Sequence, residues 1–126
     1  MSGRYLLDTN AIIYAFNRKL KLPVAQYVVS VITKMELLSW PALTPGDELK
    51  LREILQNLAV IELDPPIQDA AVKVRKNTSL KLPDSIISAT AIYGGFVLVT
   101  DDEKLASRHV GRAVTLDQLM ASTPES

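Results

Sequence analysis

The chain has 126 residues, a hydrophobic fraction of 48%, no cysteine, and 14 basic residues balanced by 14 acidic ones. Those numbers describe one domain with ample material for a core. They exclude disulfides and thiolate metal sites, and leave no global positive field to attract nucleic acid.

No apolar run reaches the ~18 residues that a membrane span needs, and Asp8 interrupts the first apolar stretch too early for a secretory signal. The expectation is a single domain, 1–126, in a reducing cytoplasm. Two local clusters depart from the even charge balance: Arg18, Lys19 and Lys21 in "NRKLKLP", and Arg75, Lys76 and Lys81 in "RKNTSLKLP". Each alone reads as a solvated loop.

In chain order, "RYLLD" (4–8) reads as a short buried strand and "NAIIYAF" as the helix after it. "QYVVSVI" (26–32) is rich in β-branched residues and predicts a second buried strand, with "TKMELLSW" turning helical. In "TPGDELKLREILQNL" (44–58), Thr44, then Pro45 at a first helical position, then Asp47 in the first turn make a strong helix start. "AVIEL" (59–63) is a third strand and "DPPIQDAAVKVRKN" a further helix. "LPDSIISATAIYGG" (82–95) is apolar almost all round and stops at two glycines, which marks a buried helix. "FVLVT" (96–100) is a fourth strand and "DDEKLAS" a short helix. "AVTL" (113–116) is a small fifth strand before a terminal helix.

Apolar strands alternating with helices predict a parallel sheet covered on both faces, with right-handed crossovers. Sites in such folds form beyond the carboxyl ends of the strands. Four acids fall there or beside it: Asp8 after the first strand, Glu36 after the second, Asp84 at the start of the buried helix, and Asp102, beside Asp101, after the fourth.

Each acid also has a structural reading. Asp8 suits an N-cap, and Thr33 to Glu36 and Thr100 to Glu103 have capping-box spacing. Asp84 complements a helix macrodipole, worth ~0.3–1 kcal/mol. Together they are harder to explain by capping. Carboxylates gathered in one cleft repel and raise at least one pKa unless a cation is present, and a hard ion such as Mg²⁺ prefers oxygen ligands.

Competing chemistries find little support. His109 is the only histidine, which disfavours a zinc site of the usual nitrogen or sulfur type. In "SRHVGR" it reads as a surface residue rather than a serine hydrolase's base. No phosphate-binding glycine loop occurs. Trp40 and the tyrosines form no stacking stripe and read as core or interface packing.

"YLLDTNAII", "SVITKMELL", "LKLPDSIISATA" and "VLVTDDEKL", in that order and spacing, resemble the four motif blocks of PIN-domain ribonucleases, most closely the VapC-type toxins of type II toxin–antitoxin pairs. The likeness runs from Tyr5 to Leu119. It implies a PIN-like doubly wound α/β domain whose central parallel sheet is ordered about 3-2-1-4-5. Asp8, Glu36 and Asp84 match the acids that hold Mg²⁺ or Mn²⁺ in that family, and Asp102 matches the fourth position, with Asp101 as the alternative. Asn10 matches a polar residue that orients the first acid, and Thr100 one beside the metal.

The implied activity is metal-dependent hydrolysis of an RNA phosphodiester, leaving a 5′-phosphate and a 3′-hydroxyl. Lysine and arginine near an acidic cleft can hold flanking phosphates, and Arg75 and Lys81 stand closest to Asp84 in sequence. The family further implies a homodimer and a cognate DNA-binding, VapB-like antitoxin whose C-terminal segment covers the cleft. Two other readings compete. In a haloacid-dehalogenase-like phosphatase, Asp8 would be the nucleophile, but the second aspartate's place is taken by Asn10. In a non-catalytic interaction domain, the acids only cap helices.

Overall fold

A computed structural model describes residues 3–122. Five strands, β1 (Arg4–Leu7), β2 (Gln26–Ser30), β3 (Ala59–Ile61), β4 (Val97–Val99) and β5 (Ala113–Val114), form one sheet in the order β3-β2-β1-β4-β5. Every pairing in it is parallel. Seven helices complete the described chain: α1 (Thr9–Asn17), α2 (Val31–Leu38), α3 (Pro45–Gln56), α4 (Pro65–Thr78), α5 (Leu82–Gly94), α6 (Glu103–Arg108) and α7 (Leu116–Ala121). This is the predicted doubly wound, three-layer architecture. None of the helices is long and apolar enough to cross a membrane.

The two-residue period of the central strands divides the core. Leu7, Val29 and Val99 face one side with Ala11, Leu37 and Leu51, whereas Leu6, Val28 and Leu98 face the other with Ile87, Ala91 and Leu105. Leu6 is registered with Val28 on one neighbour and Leu98 on the other, so each face carries aligned apolar rows. Burying one such side chain is worth about 2 kcal/mol, which makes a slip of one residue prohibitive.

The element boundaries differ from the sequence expectation where a polar side chain ends a strand. β2 stops at Ser30, not Ile32, because the Ser30 hydroxyl accepts the Ile32 N–H and caps α2. β-branched Val31 and Ile32 are thus helical. β5 is only two residues long because Thr115 closes a capping box with Gln118 at the start of α7. Helix α5 is buried continuously from Ser85 to Ala91 and ends at Gly95, whose φ of +70° suits glycine. The switch in strand order lies between β2, β1 and β4, so the turns after those strands share one edge.

Candidate active site

Asp8 sits where β1 becomes α1. It caps the helix, with Oδ1 accepting the Ala11 N–H at 2.7 Å, while Oδ2 accepts the Thr100 hydroxyl at 2.5 Å. The residue is only 4% exposed. Burial pushes its carboxyl up from 3.8 to about 6. The two hydrogen bonds oppose that rise, and the charges of Asp101 and Asp84 add to it.

Asp84, half-buried in the first turn of α5, is also raised. Burial is the main cause, Asp102 and Glu36 push it further, and Lys81 and Lys104 pull it back. Asp84 thus links the acids: it acts on Asp8, which also feels Asp101, and it is itself pushed by Asp102 and Glu36. As placed, no three of the described residues' histidine, aspartate or glutamate side chains form a ready-made metal cage. Asp8, Glu36, Asp101 and Asp102 are instead each turned to a hydrogen-bond donor.

Those donors show which acids are caps. Glu36 is not: Ser30 caps α2, Thr33 is fully buried inside the helix, and the predicted Thr33–Glu36 capping box does not form. Glu36 Oε1 lies 2.6 Å from the Thr9 hydroxyl, which is also 3.1 Å from Thr33 Oγ1. Thr100–Glu103 is not a capping box either. Asp102 is the N-cap of α6, accepting the Leu105 N–H at 2.9 Å, and its own N–H donates to Thr100 Oγ1 at 3.0 Å. Exposed Asp101 accepts the Leu116 N–H at 3.0 Å and so fastens the start of α7 to the β4 edge.

Asp8 is both a cap and a costly charge. Asn, Ser or Thr caps a helix about as well, for ~1 kcal/mol, and this chain uses Ser30, Thr44 and Thr115 that way. Keeping a carboxylate ionised where its pKa has risen from 3.8 to about 6 costs on the order of 3 kcal/mol at neutral pH. Capping alone does not account for it.

The supporting residues are redistributed. Asn10 is exposed, and both oxygens of Asp8 are engaged by Ala11 and Thr100 instead, so the orienting role expected of Asn10 falls to those two. Thr100, 1% exposed, joins Asp8 to the Asp102 backbone. Arg75 turns one guanidinium nitrogen to the Leu80 carbonyl, bracing the α4–α5 turn, whereas Lys81 and Lys104 are the cations that act on Asp84. Thr9 and Lys104 were not singled out by sequence reasoning. The available signals were adjacency, since Thr9 follows Asp8 and Lys104 lies two residues beyond Asp102.

His109 is a clear correction. It is buried, 7% exposed, with Nδ1 2.7 Å from Ser88 Oγ. As the residue after α6 it folds over α5, whose buried run contains a serine that needs a partner. Burial lowers its pKa. The serine–histidine pair is sealed, since Ser88 is 1% exposed, and it offers no substrate access.

The profile of the PIN domain family matches residues 5–110. Among solved structures, a toxin–antitoxin complex from Klebsiella pneumoniae is similar at 29% identity and a TM-score of 0.74, over 89% of this chain and 97% of that one. DNA-bound VapBC from Salmonella typhimurium aligns with a TM-score of 0.78 at 24% identity, covering 90% and 98%. VapBC-1 from nontypeable Haemophilus influenzae gives 0.74 at 22% identity, covering 90% and 98%. No curated protein sequence matches significantly.

Proposed function

Because the chain belongs to the PIN-domain family, whose members are nucleases that generally use divalent metal ions, we propose that it is a VapC-type toxin, an endoribonuclease dependent on Mg²⁺ or Mn²⁺. One observation carries the reading. Asp8 and Asp84 are both raised by burial and by each other's neighbourhood of acids at the sheet's carboxyl edge, a standing repulsion that a cation relieves.

The donor set fits such an ion: every candidate ligand among Asp8, Glu36, Asp84 and Asp102 is a hard carboxylate oxygen. Bound there, the ion supplies a water of lowered pKa and a positive charge for the phosphate under attack. The chain's own residues do the rest. Thr100 and the Ala11 N–H fix Asp8, and Thr9 holds one oxygen of Glu36. Lys81 and Lys104, which already act on Asp84, take the flanking RNA phosphates, with the outer donors of Arg75 behind them.

The partner is a small DNA-binding antitoxin of VapB type, a reading supported by the complexes among the structural relatives; the toxin itself is a homodimer. The phosphatase alternative gains nothing, because Asn10 stands where its second acid would be. The capping-only alternative does not describe Glu36, which caps no helix.

Purified protein incubated with a labelled structured RNA tests this. Cleavage is expected with Mg²⁺ or Mn²⁺, none with EDTA, and products should carry 5′-phosphates. EDTA-resistant cleavage, or products with a 2′,3′-cyclic phosphate, would overturn it.

A further inference from the structure

The geometry points to Thr9, backed by buried Thr33, as the positioning residue of Glu36, an inference that rests on the metal-site reading above. Glu36 projects from an exposed position of α2 on a long, flexible side chain. No side chain of its own helix bonds the carboxylate: the residue is past the cap, and Ser39, three residues on, donates to the Glu36 backbone carbonyl instead. The restraint comes from another element. Thr9, the first residue of α1, brings its Oγ1 to 2.6 Å from Glu36 Oε1, across 27 positions of sequence.

Hydroxyl stoichiometry fixes the direction. Thr9 has one proton, and its oxygen lies near two oxygens, Glu36 Oε1 and Thr33 Oγ1 at 3.1 Å. An ionised carboxylate only accepts, so the Thr9 proton goes to Glu36, and Thr33 donates to Thr9. Thr33 is 0% exposed and no water competes for it. A buried hydroxyl without a partner is costly, so the Thr33 rotamer is fixed, and it in turn fixes Thr9.

Among the described residues, Glu36 Oε2 accepts no hydrogen bond, which leaves that oxygen for a ligand. The relay also joins the two helices that carry the first two acids. Thr9 follows Asp8 directly, so any shift of α1 against α2 that disturbs one acid disturbs the other. Thr9 acts through Glu36, whose Oε1 it contacts.

Thr9→Val keeps the shape and removes the hydroxyl, Thr9→Ser restores it, and Thr33→Val removes only the backing bond. Mn²⁺ affinity, read by the loss of the free-ion electron paramagnetic resonance signal, is measured for each metal-free protein, together with its melting temperature. Thr9→Val should weaken Mn²⁺ binding about tenfold or more and lower the melting temperature, because it leaves the buried Thr33 hydroxyl without its partner. Thr33→Val should weaken binding by less, and Thr9→Ser should return both binding and melting temperature to near wild type. Wild-type affinity in Thr9→Val would overturn the positioning role while leaving the metal site intact. A wild-type protein that binds no Mn²⁺ would overturn both.

Discussion

Thr100, at the end of β4, donates its hydroxyl to Oδ2 of Asp8 at 2.5 Å, joining residues 92 positions apart across the central strand pair. This bond is one of the two that hold the Asp8 carboxyl down against burial. Thr100→Val should therefore move the Asp8 pKa above about 6. Carbon-detected NMR of the carboxyl through a pH titration measures it. A value at or below wild type would show that the hydroxyl does not favour the charged form.

Asp8→Asn should make the metal-free protein more stable at pH 7.5, by up to about 3 kcal/mol. The sign follows from linkage. The folded carboxyl titrates near 6 and the unfolded one at 3.8, so the stability it contributes is present below 3.8 and lost as pH rises through about 6. Asn keeps the acceptor for the Ala11 N–H, and Thr100 can accept from the new amide. Denaturant unfolding at pH 7.5 in EDTA decides; a destabilised variant would mean the charge is structurally required.

The fold was legible in the sequence because apolar strands and capped helices each carry a strong local signal. The site was legible only in part. Asp8, Glu36, Asp84 and Asp102 stand out as acids at strand ends or a helix start, but which oxygens they face depends on contacts between distant segments. Thr9 with Glu36 and Thr100 with Asp8 are such contacts. Motif likeness points to Asn10 but does not fix where a side chain turns, and Asn10 is exposed. His109 read as surface because its partner, Ser88, lies 21 residues away on another helix.

The acid doublet separates by its hydrogen bonds. Asn caps a helix as well as Asp, so Asp102→Asn should keep the α6 cap on Leu105 and change stability by less than about 0.5 kcal/mol. It removes a charge that acts on Asp84, and RNA cleavage should fall about tenfold or more. Asp101→Ala loses the bond to the Leu116 N–H and should cost about 1 kcal/mol, with the smaller effect on cleavage. Paired cleavage rates and melts read both, and the opposite ranking in cleavage would exchange the roles.

His109 should oppose Asp8 in the pH profile of the metal-free protein. Its folded pKa lies below 6.5, so below that pH the unfolded chain binds more protons and stability falls as pH drops. His109→Gln removes this term, and the stability gap between wild type and variant should narrow from pH 7.5 to pH 5. Unfolding curves across that range test it; a gap constant with pH would mean that the buried ring titrates as freely as in the unfolded chain.

The claim that the acids at the sheet edge are one cation site is tested most directly by thermal melts with and without Mn²⁺, for wild type, Asp8→Asn and Asp84→Asn, at pH 7.5. An ion that binds only the folded site stabilises by mass action, about 2.7 kcal/mol at a hundred times its dissociation constant. The wild type should melt higher with saturating Mn²⁺, and both variants should lose most of that rise. A wild-type melting temperature unmoved by millimolar Mn²⁺, or a rise of equal size in all three proteins, would contradict the account.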